Sequence, residues 1–530
     1  MTGPTENEAA NPVREAFDAA FYLDRYPDVA EAGIDPFQHF MDMGWREGRS
    51  PAPWFIMDVY LSVNPDIKSA GVNPFEHYVI TGRLEGRPLK DDYGFRYDIL
   101  KNSPPLEERV LWARTAARKI EAAPAAQLEA ALDAAGSLVG LHISVSHDDY
   151  TASLGGVQLC LAREADAIAQ AGRPRLHVYP ASPSPVIDVE TAEPLVGVLI
   201  NGERAGLFAA HAVAKALKGR VSKATFAVHS FLGHAIPAVT AILKAAGLRK
   251  GFFWIHDFAS VCSNYALLRN DVVFCGAPPP DSQACGICIY GERRQIHLAE
   301  HGDFFRAFEL TAVAPSQAAM SLWLKTYPNA AKATRVLPHA VLEPRTVENR
   351  PTPTKSRTKA RSAPLRVGFL GMPADHKGWP VYARLVDMLR GDSRYTFLHL
   401  GFAPDETSSA TFEKVGGQGG RTMAEAVETL ELDVAVIWSL CPETFCFTAY
   451  EAVAAGAAVI TLPDAGNVPR FVEAGDQGAR GVVVADEHAL FDLFHDGGAL
   501  ALSRSKRKPQ HFDMAFSRMT ADLLAKGASR

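Results

Sequence analysis

Two glutamates in the last third of the chain carry the clearest chemical signal. In the run CPETFCFTAYEAVAAGAAVITLP, which begins at Cys441, Glu443 and Glu451 stand with seven residues between them. The preceding LDVAVIWS reads as a strand, and an alanine-rich helix is expected to open near Phe447. A helix start presents unpaired backbone NH groups and partial positive charge, so the amides around Phe447 and Thr448 suit a diphosphate. Glu451, one turn further in, offers only acceptors when ionised and suits two adjacent ribose hydroxyls. Glu443, in the loop before the helix, can grip sugar hydroxyls in the same way.

A second constellation is Cys262, Cys275, Cys285 and Cys288, ending in the C-x2-C of ACGIC. Four soft thiolates suit a structural zinc ion held tetrahedrally. The stretch between His256 and Glu292 lacks periodicity, and a zinc staple would offset the entropy of ordering it. The first two spacings are long, so unbound or paired thiols and an iron–sulfur cluster stand as alternatives. Cys160, Cys441 and Cys446 fall outside this group.

The elements that must position these residues follow from texture. Residues 1–90 repeat themselves: Tyr22, Pro27, Asp28, Gly33, Pro36, His39, Gly44 and Glu47-Gly48-Arg49 recur as Tyr60, Pro65, Asp66, Gly71, Pro74, His77, Gly82 and Glu85-Gly86-Arg87, always 38 positions on. Each copy reads as two short helices, with Asp35 or Asn73 capping before a proline and a glycine closing the copy. One histidine per copy favours core packing over metal binding, and the module reads as a docking element for a protein partner. A helical connector is expected over 91–134.

From Leu138 short apolar runs alternate with helical stretches: LVGLHISV, GVQLCLAREADAIAQAG, RLHVYPA, PLVGVLI, ATFAVHS and GFFWIHD. Such alternation predicts a parallel sheet with helices on both faces. That domain is expected over 135–345, with the cysteine-bearing stretch 257–291 inserted in it. A Pro-, Thr- and Lys/Arg-rich linker at 346–363 precedes a second series, LRVGFLG, TFLHLG, LDVAVIWS, AAVITLP and GVVVAD, over 364–490. The fold class is therefore α/β, with two doubly wound Rossmann-like domains facing a cleft behind a small all-α module. The amphipathic tail 491–530 is expected to cross back to the first of them.

Composition narrows the partners. At 530 residues the chain exceeds one hydrophobic core, and its 47% hydrophobic content can fill several. A net charge of -6 and a pI near 6.3, with basic residues scattered, argue against nucleic acid. The polar N-terminus has no signal-peptide order, and no apolar run is long enough to span a bilayer. Seven cysteines, an odd and small number, point to a reducing compartment, so a cytoplasmic location is expected. The basic cluster of the linker reads as solvated, with contact to phosphate or to an anionic membrane face as the alternatives.

The E-x7-E pattern, set after a strand and opening a helix, resembles the donor site of the group 1 (family 4) glycosyltransferases, and the resemblance runs over roughly residues 138 to 485. It implies the GT-B fold and transfer of a sugar from a nucleotide-diphosphate donor to an acceptor hydroxyl, with retention and without a catalytic metal. Glu443 would then contact the donor sugar and Glu451 the ribose. Gly155-Gly156 in SLGGVQLCLA resembles the family's glycine-rich loop, where the backbone approaches a phosphate. His256 in WIHDF resembles the histidine beside the transferred sugar, and His229 and His234 in VHSFLGH would face the acceptor. Lys377 in GFLGMPADHKG matches the lysine on the donor phosphates, but Met372 stands where an arginine is usual, leaving Lys377 alone or helped by His376. Gly466 and Asn467 in DAGNVPRFVEAG match the loop that closes over the nucleotide.

The donor base is open among UDP, GDP and ADP. A glycan, a lipid-linked glycan or a protein can be the acceptor, as in bacterial polysaccharide, glycolipid or glycoprotein synthesis. A nucleotide-sugar epimerase or phosphorylase would share the fold. A non-catalytic scaffold using its repeats would show no nucleotide affinity.

Overall fold

A computed structural model of the chain describes residues 11–89, 94–182, 193–345, 363–405, 407–416, 420–475, 480–507 and 509–528. Apart from Ala363, the expected linker lies outside them. The chain divides into two compact units: Met1–Gly94 with Pro278–Gly291, and Phe95–Ala277 with Glu292–Arg530. Cys285 and Cys288 thus belong to the smaller unit, Cys262 and Cys275 to the larger.

In the smaller unit, helices Ala19–Arg25, Pro27–Ala32 and Pro36–His39 recur as Met57–Val63, Pro65–Ala70 and Pro74–His77. Proline at the first position starts two of the three in each copy, where its missing NH costs nothing. Each third helix runs into a wider π-turn, Phe40–Gly44 and Tyr78–Gly82. The repeated residues hold one another: the Tyr22 hydroxyl lies 3.0 Å from His39 Nδ1 and the Tyr60 hydroxyl 3.0 Å from His77 Nδ1. A side chain at Gly44 or Gly82 would strike those hydroxyls. Within each copy an arginine closes the turn, Arg49 onto Asp28 and Arg87 onto Asp66. Tyr22, Phe40, Phe55, Tyr60 and Phe75 form the shared core.

The larger unit is built on two large sheets, beside two two-stranded ones. In the first the strand order is Ala333–Val336, Glu309–Ala314, Lys250–Trp254, Thr225–Val228, His142–Val145, Arg175–Pro180, Leu195–Ile200 and Glu203–Ala209. The first six are parallel, and the last two add an antiparallel edge. The second sheet is parallel throughout, in the order Thr411–Lys414, Tyr395–Gly401, Leu365–Leu370, Val434–Val436, Ala458–Thr461 and Gly481–Val483. Numbered along the chain this is 3-2-1-4-5-6, the doubly wound order, whose direction reverses between Leu365–Leu370 and Val434–Val436. In the first sheet the reversal falls between His142–Val145 and Thr225–Val228. Ligands of such sheets bind beyond the carboxyl ends of the strands at these reversals.

The chain then returns to its first domain. Phe512–Phe516 pairs antiparallel with Ala340–Pro344, and Thr520 meets Trp254 and Glu164. Among the described residues, no helix is long and apolar enough to cross a membrane.

Candidate functional site: a cavity between two Rossmann-like sheets

The carboxyl ends of both sheets meet at a cavity of about 390 Å³, within the usual range for a small-molecule site. Gly156, His256, Lys377, Glu443, Phe447 and Thr448 all line it. Six residues named from sequence are thereby brought together, although nearly three hundred positions separate the first from the last.

The donor side is built on the strand Val434–Val436 and the helix Phe447–Ala454. Cys446 caps that helix in the left-handed region, at φ 73°. The Phe447 and Thr448 amides therefore stand at the cavity as a helix start. The intervening loop is held from two directions. Asn467 donates its backbone NH to the Glu443 carbonyl at 2.8 Å and its side-chain amide to the Phe445 carbonyl at 3.2 Å. From the other lobe, the His256 carbonyl accepts from the Thr444 hydroxyl at 2.8 Å. Gly466, at φ 65°, lies against the backbone of Pro442 and Glu443, where a Cβ has no room. Gly466 and Asn467 do not line the cavity; they fix the loop that does.

Lys377 sits in a single turn, Asp375–Lys377, closed by Gly378 at φ 81°. The turn rests on the Trp438 carbonyl, and the Leu440 NH donates to the His376 carbonyl at 3.0 Å. Lys377 Nζ then reaches Glu443 Oε1 at 2.7 Å, and the Ser439 hydroxyl donates to the same oxygen. Burial alone would raise the Glu443 pKa, but the Lys377 charge and these hydrogen bonds hold it below the usual carboxylate range. Burial likewise works against the Lys377 ammonium, and the Glu443 charge overrules it, so the ammonium is strengthened. The lysine side chain keeps 41% of its surface exposed against 10% for the glutamate, so a ligand can reach the cation.

His376 adds no second cation, because burial, reinforced by Lys377, pushes its pKa down to about 4. Met372 lines the cavity at the place where the resemblance leads one to expect an arginine. The Cys441 and Cys446 thiols are pushed up to about 12 by burial and stay protonated beside the loop.

Glu451 lies one turn into the helix, half-buried and outside the cavity lining. Burial pushes its pKa up to about 7, and among the described residues no side-chain hydrogen bond reaches its carboxylate.

Across the cavity, Gly156 opens the helix Gly156–Gln170 and faces Phe447; a Cβ would come 3.1 Å from that ring. Gly155 stands one residue earlier in extended backbone, outside the lining. His256 follows the strand Lys250–Trp254, and both its ring nitrogens are engaged: Nε2 lies 2.9 Å from His229 Nδ1, and Nδ1 lies 3.1 Å from His339 Nε2. His229 Nε2 in turn meets Glu164 Oε1 at 3.0 Å. Cys160 Sγ comes within 4.8 Å of one nitrogen on each of His256 and His339, a grouping that a metal ion could use, but the ring-to-ring hydrogen bonds occupy both nitrogens of His256. His234 binds the Ser146 carbonyl at 2.7 Å and lines a separate cavity of about 450 Å³ with Pro180 and Ala238.

Sequence reasoning did not single out Ser439, His339 or Glu164. Glu164 had a readable signal. It falls on the helix stripe of Cys160, Leu161, Ala167 and Ile168, all buried, and a carboxylate on an apolar stripe needs partners.

Two lobes of this kind around an interlobe cavity form the GT-B architecture. No protein-family model and no curated protein matches the chain. Among solved structures it is similar to sucrose-phosphate synthase from Thermosynechococcus elongatus, at TM-score 0.45 and 14% identity over 74% of this chain and 98% of that one. It is also similar to Anabaena HepE in complex with UDP and glucose, at 0.43 and 14% over 74% and 99%. A third is the catalytic domain of starch synthase IV from Arabidopsis thaliana bound to ADP and acarbose, at 0.40 and 13% over 74% and 100%.

Proposed function

We propose that the chain is a glycosyltransferase that moves a sugar from a nucleoside-diphosphate donor to an acceptor hydroxyl with retention of configuration. The observation that carries this reading is the convergence of the Phe447 helix start, the Lys377–Glu443 pair and His256 on one interlobe cavity. Two backbone amides and one reachable ammonium match a diphosphate in charge and geometry. Glu443, ionised and next to that position, accepts from hydroxyls of the attached sugar. Glu451, whose carboxylate meets no side-chain hydrogen bond among the described residues, accepts from the ribose.

In this reading the diphosphate leaves toward Lys377 and the helix start, which stabilise its growing charge. The acceptor hydroxyl is positioned from the other lobe, and it belongs to a glycan, a lipid-linked glycan or a protein.

Thermal unfolding of the full chain with UDP, GDP and ADP, and with UDP-glucose, GDP-mannose and ADP-glucose, tests the reading. One nucleotide series should raise the midpoint in proportion to the logarithm of ligand concentration. No response to any of the six would favour the scaffold alternative.

A further inference from the structure

Two large apolar side chains stand open to solvent at the carboxyl end of the second Rossmann-like sheet. Among the described residues of 363–528, the exposed side chains of this kind are Met372, Met388 and Phe402. Met388 lies at the far end of the helix Trp379–Met388. Met372 and Phe402, 53% and 43% exposed, stand in register instead. Leu370 pairs with Leu400 across the strands Leu365–Leu370 and Tyr395–Gly401, and each of the two follows that pair by two residues. Met372 lines the cavity; Phe402 stands outside its lining, one strand further from the helix start at Phe447.

The backbone beneath these side chains is braced from several directions. The Gly371 NH donates to the Leu400 carbonyl at 2.8 Å, and His399 Nε2 donates to the Gly371 carbonyl at 2.9 Å. A Cβ at Gly401 would stand 2.5 Å from that same carbonyl, so glycine there is what lets the two strand ends approach. Further along, the Trp379 indole NH donates to Asp405 at 2.5 Å and pins the segment that follows Phe402. His399, Trp379, Phe369 and Phe412 pack on one another, and among the described residues none of these rings packs on Phe402. A single exposed apolar side chain needs no explanation. Two in register on a braced backbone, beside a ligand cavity, mark a contact surface.

We propose that Phe402, with Met372 beside it, is the platform on which the base of the donor nucleotide stacks. The assignment rests on the nucleotide-sugar reading of the cavity. Phe402 lies two strands from Val434–Val436, about 10 Å, which matches the reach from a diphosphate at the helix start across a ribose to its base. Every base offers a flat π-face to an aromatic ring, whatever its hydrogen-bonding edge. A thioether is a soft, adaptable neighbour for such a ring. Met372, standing where an arginine is expected, therefore serves the base rather than the phosphates.

Calorimetric titration of the full chain with UDP, GDP and ADP, and with inorganic pyrophosphate, tests this. Phe402→Ala should weaken the nucleoside diphosphate that binds by about 5- to 100-fold. Pyrophosphate, which carries no base, should bind the variant and the unmodified chain alike. Phe402→Trp keeps a stacking face and should hold nucleotide affinity within about threefold or improve it. Because the ring is exposed, the thermal midpoint of Phe402→Ala without ligand should stay within about 1 °C. Unchanged nucleotide affinity in Phe402→Ala would overturn the assignment. A loss shared equally by pyrophosphate, or a lowered midpoint, would mark the ring as structural and overturn it too.

Met372→Ala should show a smaller loss of the same kind, about 2- to 5-fold for the nucleotide and none for pyrophosphate. Equal losses for both ligands would put Met372 at the phosphates and overturn its part. Binding to the unmodified chain that survives Phe402→Ala intact refutes the platform alone. If none of the three nucleotides binds the unmodified chain, the nucleotide-sugar reading itself fails and the platform falls with it.

Discussion

Glu451 makes a prediction in which stability and function move in opposite directions. Burial raises its carboxyl from the ordinary 4.5 to about 7, so the folded chain holds this proton more tightly than the unfolded chain. The penalty for ionising it is absent below pH 4.5, grows as pH rises, and is complete above about 7. At about 1.36 kcal/mol per pKa unit the full penalty is roughly 3 kcal/mol, and partial exposure lowers it to about 1–3 kcal/mol. Glu451→Gln cannot ionise and escapes this cost. Its thermal midpoint should equal that of the unmodified chain near pH 4.5 and exceed it by about 1–3 °C at pH 8.

Nucleotide binding should respond the other way. An ionised carboxylate accepting from two ribose hydroxyls is worth about 1.5–3 kcal/mol, so the variant should bind about 10- to 100-fold more weakly at pH 8. The unmodified chain should bind more tightly as pH rises from 6 to 8 and Glu451 ionises. Thermal unfolding and titration calorimetry on the two proteins read both effects. Equal midpoints at pH 8, or equal nucleotide affinities, would refute the reasoning.

Glu443→Gln frees Lys377 from its counter-charge, so calorimetry should show nucleoside diphosphate affinity unchanged or up to about tenfold higher, while transfer assays show turnover down at least about tenfold. Gly466→Ala forces a side chain into the Pro442–Glu443 backbone at a left-handed position; it should cost about 2 kcal/mol or more in denaturant unfolding and lower turnover as well. Gly155→Ala is the control: its backbone is extended and its added methyl meets only the movable end of Gln158, so stability should change by less than about 0.5 kcal/mol.

Much of this site could be read along the chain because its chemistry is local. A strand, a loop glutamate and a helix start are consecutive in 432–451, and the helix opens at Phe447 as its spacing predicts. Lys377, in a turn beyond a strand, and Gly156, at the start of a helix, are legible for the same reason. Tertiary register was not legible. The Lys377–Glu443 pair joins turns 66 positions apart, and His339 joins His256 across 83. The resemblance puts Gly466 and Asn467 over the nucleotide, but their side-chain and backbone contacts go to the Glu443 loop, which only packing determines. Glu451 could be placed one turn into its helix by counting, whereas its raised pKa depends on neighbours that counting cannot supply.

The most direct test is a crystal structure of the full chain grown with the nucleoside diphosphate that stabilises it best. The account predicts phosphate oxygens within hydrogen-bond reach of the Phe447 and Thr448 amides and of Lys377 Nζ, with the ribose against Glu451. A nucleotide bound elsewhere, or oriented with its base toward Lys377, would contradict it.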